Sequence, residues 1–264
     1  LDNIYITSST ESADFPATTG ALDETLGGTQ DGCLAKFNSD VSTLAWCTYV
    51  GGSAGDAGYS LKLNSINEIY MTGGTASQNL AVDGGAIFPA YQGGTADGYL
   101  FRISNDGNTI VNSTYIGTSS YDQSYFVEVD DDDDVYLYGQ STGSYPVTSG
   151  TYFNLNGRQF IQKMSADLST SILSTVFGSG SASINISPTA FLVDICERIF
   201  ISGWGGTTNQ IAGIPAGGNT SGMAVTSDGE QTTTDGSDFY FMVLEADATA
   251  LLYGSYFGGN GIAE

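Results

Sequence analysis

The residues of this sequence that could do chemistry are almost all carboxylates. The chain of 264 residues contains 29 acidic residues, 6 basic residues and no histidine. Without histidine there is no Ser-His-Asp or Cys-His arrangement and no histidine-ligated zinc site. A carboxylate pair could still hydrolyse a glycosidic bond, but acidic residues are too frequent here for any one pair to stand out. We therefore expect a protein without enzymatic activity, and keep a glycoside-active enzyme as the less favoured alternative.

The densest acidic group is the run Asp130, Asp131, Asp132, Asp133 and Asp134. Carboxylate oxygens are preferred ligands of Ca²⁺, so the run is a candidate calcium site, and no other cofactor is expected. The run also lies between two apolar runs, where a hairpin turn is predicted, and the equivalent turns elsewhere have ordinary compositions. A solvated turn is therefore the favoured interpretation, and a calcium site the alternative.

A second acidic position recurs along the chain. Asp31, Asp97 and Asp238 each come directly before an apolar run. One interpretation is a ring of cation ligands. The other is that each side chain caps neighbouring main-chain N–H groups, as Asp commonly does at turns. Recurrence of the residue in three repeats favours the cap.

Two further positions recur in the apolar runs. One is basic and accounts for half of all basic residues: Lys36, Arg102 and Lys163. Pairing of these side chains with neighbouring carboxylates is favoured over ligand binding. The other position is aromatic: Tyr5, Tyr70 and Tyr136. Packing between sheets is the favoured role for these tyrosines, and a platform for stacking carbohydrate is the alternative.

These positions recur because the chain repeats itself. The spacing from Ile4 to Ile69 is 65 residues, from Ile69 to Val135 it is 66, and from Val135 to Ile199 it is 64. Each full repeat carries four apolar runs that are rich in β-branched and aromatic residues and are bounded by Gly, Asn, Asp and Ser, a pattern typical of strands. Several runs are apolar almost throughout, which indicates that both faces of the sheet are covered.

Four-stranded antiparallel sheets that stack face to face around an axis satisfy this pattern, so the sequence predicts an all-β fold of the β-propeller class. The predicted blades are residues 1–57, 58–123, 124–187 and 188–264 of a single domain. The second to fourth runs occur four times but the first only three times, and an open ring leaves unpaired strand edges. We therefore expect four blades of a larger ring in a longer multidomain chain; a closed four-bladed ring is the alternative.

The fourth repeat contains about thirteen extra residues near Gly205 to Asn219. Insertions in repeat proteins lie on one face, which is often the binding face. Trp204 breaks the repeat pattern beside the insertion. The candidate ligand-binding residues are therefore Trp204, Asn209, Gln210 and Asn219, although a loop without a binding role fits equally well.

The charge of the chain limits its partners. The net charge is −23, and charged residues make up only 13% of the sequence, against about 25% in ordinary proteins. Such a surface repels phosphate groups, so nucleic acid and anionic membranes are poor partners. No apolar run is long enough to span a bilayer, and we expect no direct membrane insertion. The charge is explained by solubility or by an extracellular setting rich in divalent cations.

The three cysteines are odd in number. Cys33 and Cys47 are predicted on neighbouring strands of one hairpin. Buried thiols are favoured there over a cross-strand disulfide. Cys196 is left over and is a candidate for pairing outside the chain.

The segments Ile69–Gly73, Asp31–Asn38 and Thr48–Gly52 resemble the SBBP family, the seven-bladed β-propeller repeats. The stretch Asn185–Cys196, with Ser202–Gly206, is similar to the propeller region of very large exported Bacteroidota proteins, which commonly end in a gliding-motility-associated C-terminal sorting domain. The resemblance covers essentially the whole chain and carries over no catalytic residue.

The resemblance implies a ring of about seven blades in a protein exported by type IX secretion, secreted or attached to the outer-membrane surface and linked to gliding or adhesion. The expected function is a non-catalytic scaffold or binding module, with a carbohydrate-binding or adhesive propeller as the alternative. The expected partners are a protein or a surface glycan and the remaining blades of the same propeller.

Overall fold

Strands account for almost all of the regular structure. The computed structural model describes residues 3–205 and 218–259. The strands are β1 Ile4–Thr10, β2 Asp31–Phe37, β3 Leu44–Val50, β4 Asp56–Leu63, β5 Ile69–Thr75, β6 Asp97–Ile103, β7 Ile110–Ile116, β8 Asp122–Val129, β9 Val135–Ser141, β10 Gln159–Met164, β11 Ser171–Phe177, β12 Ser187–Val193, β13 Ile199–Trp204, β14 Phe239–Leu244 and β15 Leu251–Phe257. A short 3₁₀ helix at Ala246–Ala248 precedes β15. In these two ranges no helix is long and apolar enough to cross a membrane.

The strands form four sheets in chain order. Sheet 1 is β1-β2-β3, sheet 2 is β4-β5-β6-β7, sheet 3 is β8-β9-β10-β11 and sheet 4 is β12-β13-β14-β15. Every paired neighbour is antiparallel and consecutive in sequence. The predicted all-β fold of four-stranded antiparallel sheets is therefore confirmed. Within the described chain sheet 1 has no strand equivalent to β4, β8 or β12, as the missing first run predicts.

An Asn or Asp side chain shapes the hairpin between the first two strands of sheets 2, 3 and 4. The side-chain Oδ1 of Asn64, Asp130 and Asp194 accepts hydrogen bonds from the N–H groups two and four residues further on. The residue two positions before the next strand has a positive φ, as at Asn67 (64°) and Asp133 (64°). Asn and Asp tolerate this left-handed conformation better than most residues, which explains the composition of the turns in sheets 2 and 3; in sheet 4 Glu197 holds the position, with a φ of 59°.

Successive sheets pack face to face through three apolar cores. We call the side of a sheet that meets the next sheet in the chain its forward face, and the other side its rear face. Leu34 and Trp46 of sheet 1 pack against Ile69 and Phe101 of sheet 2. Equivalent cores join sheet 2 to sheet 3 and sheet 3 to sheet 4. Strands buried on both faces explain the nearly continuous apolar runs.

The first strands of neighbouring sheets lie close together. β4 contacts β1 and β8, and β8 in turn contacts β12. The other strands of each sheet follow outward in order. This arrangement is compatible with a fold built from blades.

Candidate functional site at the aspartate end of the sheets

Five buried aspartates lie at one end of the sheets, which we call the aspartate end: Asp31, Asp56, Asp97, Asp122 and Asp238. None of the five is more than 1% exposed. The first four each begin a strand, and the fifth directly precedes β14. Because neighbouring strands are antiparallel, these positions pair with the last residues of β1, β5 and β9. The carboxyl groups are therefore held by rigid ladders.

The junction between sheets 1 and 2 brings Asp31 and Asp56 together. Asp31 Oδ1 and Asp56 Oδ2 both lie 2.8 Å from the point where a β-carbon on Gly51 would stand. Burial raises the pKa of each carboxyl group. Every oxygen has a donor: the N–H groups of Gly27 and Gly28 for Asp31, and the N–H of Gly52 with the hydroxyls of Thr75 and Ser77 for Asp56. The protein itself therefore supplies a hydrogen-bond donor to every carboxyl oxygen of this junction.

The junction between sheets 2 and 3 has the same geometry and an equivalent set of donors. Asp97 Oδ1 and Asp122 Oδ2 lie 3.0 and 3.1 Å from the equivalent point on Gly117. The N–H of Gln92 donates to Asp97 Oδ2, and the N–H and hydroxyl of Thr118 donate to Asp122 Oδ2 at 2.7 and 2.8 Å. Asp97 also accepts a main-chain hydrogen bond from Gly93, and Asp122 a hydroxyl hydrogen bond from Ser141. Burial, with the nearby Asp122, raises the pKa of Asp97 to about 7.

The junction between sheets 3 and 4 has no carboxyl pair. Arg158 directly precedes β10 and occupies the position that Asp97 has at the start of β6. Its guanidinium donates a hydrogen bond to the carbonyl of Thr142 at 2.6 Å. Asn185 occupies the second position, with its Oδ1 2.8 Å from the β-carbon point of Gly178. Its Oδ1 accepts the N–H of Ser179 at 2.9 Å. Both acidic residues are thus replaced together at this junction.

A polar recess of about 330 Å³ opens beside the first strands of sheets 2 and 3. Its lining includes Glu11, Gln30, Asp56, Tyr59 and Gln123. A second recess of about 630 Å³ shares the first two of these residues. Amide groups and a carboxylate in such a recess can hydrogen-bond a polar ligand, and an aromatic ring can stack on it.

The aromatic wall of this recess is held by a second tyrosine. The rings of Tyr59 and Tyr125 are stacked with centroids 5.3 Å apart and an interplanar angle of 9°. The hydroxyl of Tyr59 donates to Gln123 Oε1 at 3.1 Å. Both tyrosines are only partly buried. The stack therefore presents an oriented aromatic surface at the aspartate end.

The predicted ligand-binding residues are placed in two ways. Trp204 ends β13 and its ring packs against Phe239, with centroids 6.4 Å apart. Asn219 is exposed, and its Oδ1 accepts the N–H of Ser221 at 2.8 Å, so its side chain shapes a turn. Asn209 and Gln210 lie outside the described residues. The binding role of all four stays a prediction.

The five-Asp run is a hairpin turn between β8 and β9. Asp130 Oδ2 forms an ion pair with Lys163 Nζ at 2.9 Å. Asp133 accepts both the N–H and the hydroxyl of Ser65, at 2.8 and 2.6 Å. Among the described residues no group of three or more Asp, Glu or Cys side chains is arranged to hold a metal ion. The calcium alternative for Asp130–Asp134 stays a prediction.

The recurring basic and aromatic positions join one sheet to the next. Each cation lies over the ring of the tyrosine paired with it across two strands: Lys36 over Tyr5, Arg102 over Tyr70 and Lys163 over Tyr136. The Tyr70 hydroxyl donates to the Ala166 carbonyl of sheet 3, and the Tyr136 hydroxyl to Glu197 of sheet 4. Packing of these tyrosines between sheets is confirmed.

Carboxylate pairing of the cations is confirmed at two of the three positions. Arg102 pairs with Glu68 at 2.5 Å, and Lys163 with Asp130 and Glu197. For Lys36 the carboxylate prediction is wrong: its amine donates to the carbonyl oxygen and the side chain of Asn105. Sheet 2 presents an amide at this place, which sequence reasoning could not foresee because the two residues lie in different sheets.

The thiols of Cys33 and Cys47 are buried and free, which confirms the favoured interpretation. Cys196 is exposed and free. The capping role predicted for the recurring aspartates is confirmed for Asp31 and Asp97, which accept main-chain N–H groups. For Asp238 the donor is instead the side chain of Gln231, at 3.1 Å.

Sequence reasoning missed the second member of each carboxyl pair and the tyrosine stack. Asp56 and Asp122 are 66 residues apart, as are Tyr59 and Tyr125. The repeat period was therefore a signal that could have found them. That Asp56 meets Asp31, or that the two rings stack, depends on how the sheets are placed.

Comparisons with known proteins add no family. A scan against protein-family models found no match, and a search among curated proteins found no match either.

Proposed function

We propose that the four sheets are four blades of a β-propeller, and that the chain serves as a rigid, non-catalytic module that binds a protein or a surface glycan outside the cell. The observation that carries the proposal is the stacking of the sheets. They pack face to face in chain order, and their first strands adjoin. Blades around a common axis meet in this way.

The forward face of sheet 4 supports a ring with more than four blades. Leu192, Phe241 and Phe257 on this side are 51%, 39% and 60% exposed. They belong to an apolar groove of about 580 Å³. In sheets 1 to 3 the equivalent face is covered by the next sheet, so a further sheet of the same repeat is the natural cover for this one.

The residues of sheet 4 at the position where the other sheets pair a tyrosine with a cation agree with a ring of more than four blades. The tyrosine and cation of the other sheets are replaced there by Phe200 and Val243. An apolar pair has no polar tip to satisfy and fits burial beneath another sheet. The same surface would fit a closed ring only if sheet 1 covered it, and the packed strands of the described chain join sheets that are neighbours in sequence.

We place the binding surface at the recess of the aspartate end. Gln30, Tyr59 and Gln123 combine amide groups with an aromatic ring there. A glycan is the favoured ligand class within this proposal because sugar rings stack on oriented aromatic faces and their hydroxyls bond to amides. A protein partner is the alternative.

Catalysis is not proposed for this recess. Glu11 and Asp56 are the carboxylates among its described lining residues. Asp56 is engaged by three protein donors, whereas a glycosidase needs two carboxyl groups free to act on the substrate. The extracellular location, type IX export and a role in gliding or adhesion are proposed from the resemblance of the repeats.

The binding proposal is tested on a glycan array with the wild-type protein and Tyr59→Ala. Binding by the wild type that falls by roughly fivefold or more in the variant is expected, since stacking on an aromatic ring contributes about 1–3 kcal/mol by analogy with base stacking. Tyr253→Ala, on the forward face of sheet 4, is the matched control and should bind normally. Undiminished glycan binding by Tyr59→Ala would contradict the placement of the site.

The architecture has its own test. An experimental structure should show the sheets radiating from one axis with β4, β8 and β12 innermost. Sheets stacked without a common axis would refute the propeller, whatever the array shows.

A further inference from the structure

The junction between sheets 3 and 4 carries a cation that no carboxylate of the described chain neutralises. Four of the six basic side chains pair with an acidic one: Lys62, Arg102, Lys163 and Arg198. The amine of Lys36 lies between Asn105 and the ring of Tyr5. Arg158 is half-buried and has no ion pair among the described residues, although the chain has 29 acidic residues. Its charge is left for another partner.

The guanidinium of Arg158 is held in place by three main-chain carbonyl groups. Nη1 donates to the carbonyls of Gly143 and, at 2.6 Å, Thr142, and Nε donates to that of Ala182 at 3.2 Å. These acceptors fix the group but carry no net charge. Within the described chain the two N–H groups of Nη2 have no acceptor. A guanidinium with a fixed position and spare donors is well suited to bind an oxyanion.

Arg158 lines a polar recess of about 470 Å³ at the aspartate end. Hydroxyl side chains supply most of its other polar groups: Thr118, Ser119, Ser120, Thr142 and Ser144. No acidic residue is among its described lining residues. The hydroxyls of Ser119, Ser120 and Ser144 make no hydrogen bond within the described chain, and Ser119 and Ser144 are exposed. The recess therefore combines an unpaired cation with free hydroxyl donors.

The other junctions show that the fold does not need a cation here. Asp31 and Asp97 hold the position of Arg158 in sheets 1 and 2, where they accept main-chain N–H groups. At the same junction as Arg158, the second aspartate is replaced by Asn185. The neighbouring carboxyl group of Asp122 is fully buried and does not line the recess. The two replacements thus remove both carboxyl groups at the place where the guanidinium appears.

We propose that this recess is a subsite for the anionic group of an acidic saccharide, in which Arg158 pairs with a carboxylate or sulfate group and the serine hydroxyls bond to its oxygens. The choice of a saccharide rests on the proposed function, whereas the anion site does not. The recess borders the same segment as the proposed glycan recess, since Ser120 lines one and Gln123 the other. A net charge of −23 repels polyanions, so a single anionic group is the expected ligand.

The anion site is tested first without a sugar. The chain contains three arginines, Arg102, Arg158 and Arg198, so the NMR signals of their Nε–H groups are few, and that of Arg158 is assigned by its loss in Arg158→Gln. Sodium acetate and sodium sulfate are the probes, and sodium chloride at equal ionic strength is the control. The Arg158 signal should shift saturably with acetate or sulfate while the other two stay in place. An Arg158 signal that moves no further than in chloride overturns the site.

The saccharide is tested on an array that carries acidic glycans beside neutral counterparts, such as an oligogalacturonate and its methyl ester, and sulfated and unsulfated galactans. The wild type should bind acidic members, and Arg158→Gln should bind them roughly tenfold more weakly, about the factor that one hydrogen bond between charged groups supports. Uronate and sulfated members show which anion is preferred. Arg198→Gln removes an equal charge from a half-exposed ion pair of sheet 4 and should bind normally. An equal loss in both variants overturns the inference.

A second pair of variants keeps the inference testable if Arg158→Gln disturbs the loops that Arg158 joins. Ser144 is exposed and its hydroxyl bonds to no described residue. Ser144→Asp places a carboxylate in the recess and should abolish both the acetate shift and the binding of acidic glycans. Ser144→Asn has the same size without the charge and should keep both. Equal binding by the two variants would place the anion elsewhere and overturn the site.

The outcomes separate this inference from the proposed function. Binding of neutral glycans alone, lost in Tyr59→Ala but kept in Arg158→Gln, overturns the anion subsite and leaves the proposed function standing. Binding of acetate or sulfate at Arg158 without binding of any glycan overturns the saccharide as the ligand, and the glycan-binding function with it, while the anion site stands.

Discussion

Replacing Lys163 by Met tests how sheets 3 and 4 are joined. The side chain of Lys163 is 8% exposed, and its amine lies 2.9 Å from Asp130 Oδ2 and 3.1 Å from Glu197 Oε2. It also stands 4.9 Å from the ring centroid of Tyr136. Methionine keeps most of the apolar stem but removes the charge. The variant therefore isolates the ionic part of the junction.

The expected cost comes mainly from Asp130. Its side chain is only 6% exposed, so it becomes a buried carboxylate without a cation. Removing one partner of a buried ion pair typically costs about 3–5 kcal/mol. Glu197 is 38% exposed and can be solvated by water, so it adds little. We expect Lys163→Met to lower the free energy of unfolding by roughly 3–5 kcal/mol.

The assay is urea unfolding followed by tryptophan fluorescence, with the slope of the transition compared between variants. Lys62→Met is the control: Lys62 pairs with Glu128 at 2.5 Å but is 41% exposed, and exposed pairs contribute about 0–1 kcal/mol. The double variant Lys163→Met/Asp130→Asn should recover most of the loss because no buried charge remains. A loss below about 1 kcal/mol in the single variant, or no recovery in the double variant, would refute this account.

Two further predictions concern close packing and pH. Gly73→Ala should cost about 1–3 kcal/mol or more because the new β-carbon would stand 1.8 Å from the Ala57 carbonyl oxygen, whereas Gly84→Ala, with nothing within 4 Å, should be close to neutral in the same urea assay. Burial raises the pKa of Asp56, so its contribution to stability is full below the unfolded value of about 4 and is lost as pH rises through the raised value; Asp56→Asn should flatten that decline in melting temperature. The pKa of Asp40 is lowered by hydrogen bonds from Ser42, so its contribution to stability depends on pH in the opposite direction. A decline in melting temperature that is unchanged in Asp56→Asn would contradict the assignment.

Much of the fold could be predicted from the sequence because its information is local and repeated. A strand's period, its flanking turn residues and its recurrence after about 65 residues can be read without knowing what lies across from it. The three strands that sheet 1 has in the described chain could be counted in the same way. The turn at Asp130 was visible as well, since Asn64 and Asp194 occupy equivalent positions with ordinary neighbours.

The candidate site was less predictable because it depends on contacts between sheets. Trp204 was chosen for its place beside an insertion, yet its ring packs against Phe239 on the forward face of sheet 4. The stack of Tyr59 on Tyr125 joins two sheets. No local pattern distinguishes an aromatic residue that packs in a core from one that lines a recess.

The sequence by itself determined the strands, their antiparallel order and the buried character of both sheet faces, because hydrophobic periodicity and turn chemistry act over a few residues. Only the tertiary structure decided which charges meet. Asp97 and Asp122 meet beside Gly117 as Asp31 and Asp56 meet beside Gly51, whereas Asn185 lies beside Gly178 at the third junction. Electrostatic energy depends on distance and burial across a junction, and neither quantity is written in the order of the residues.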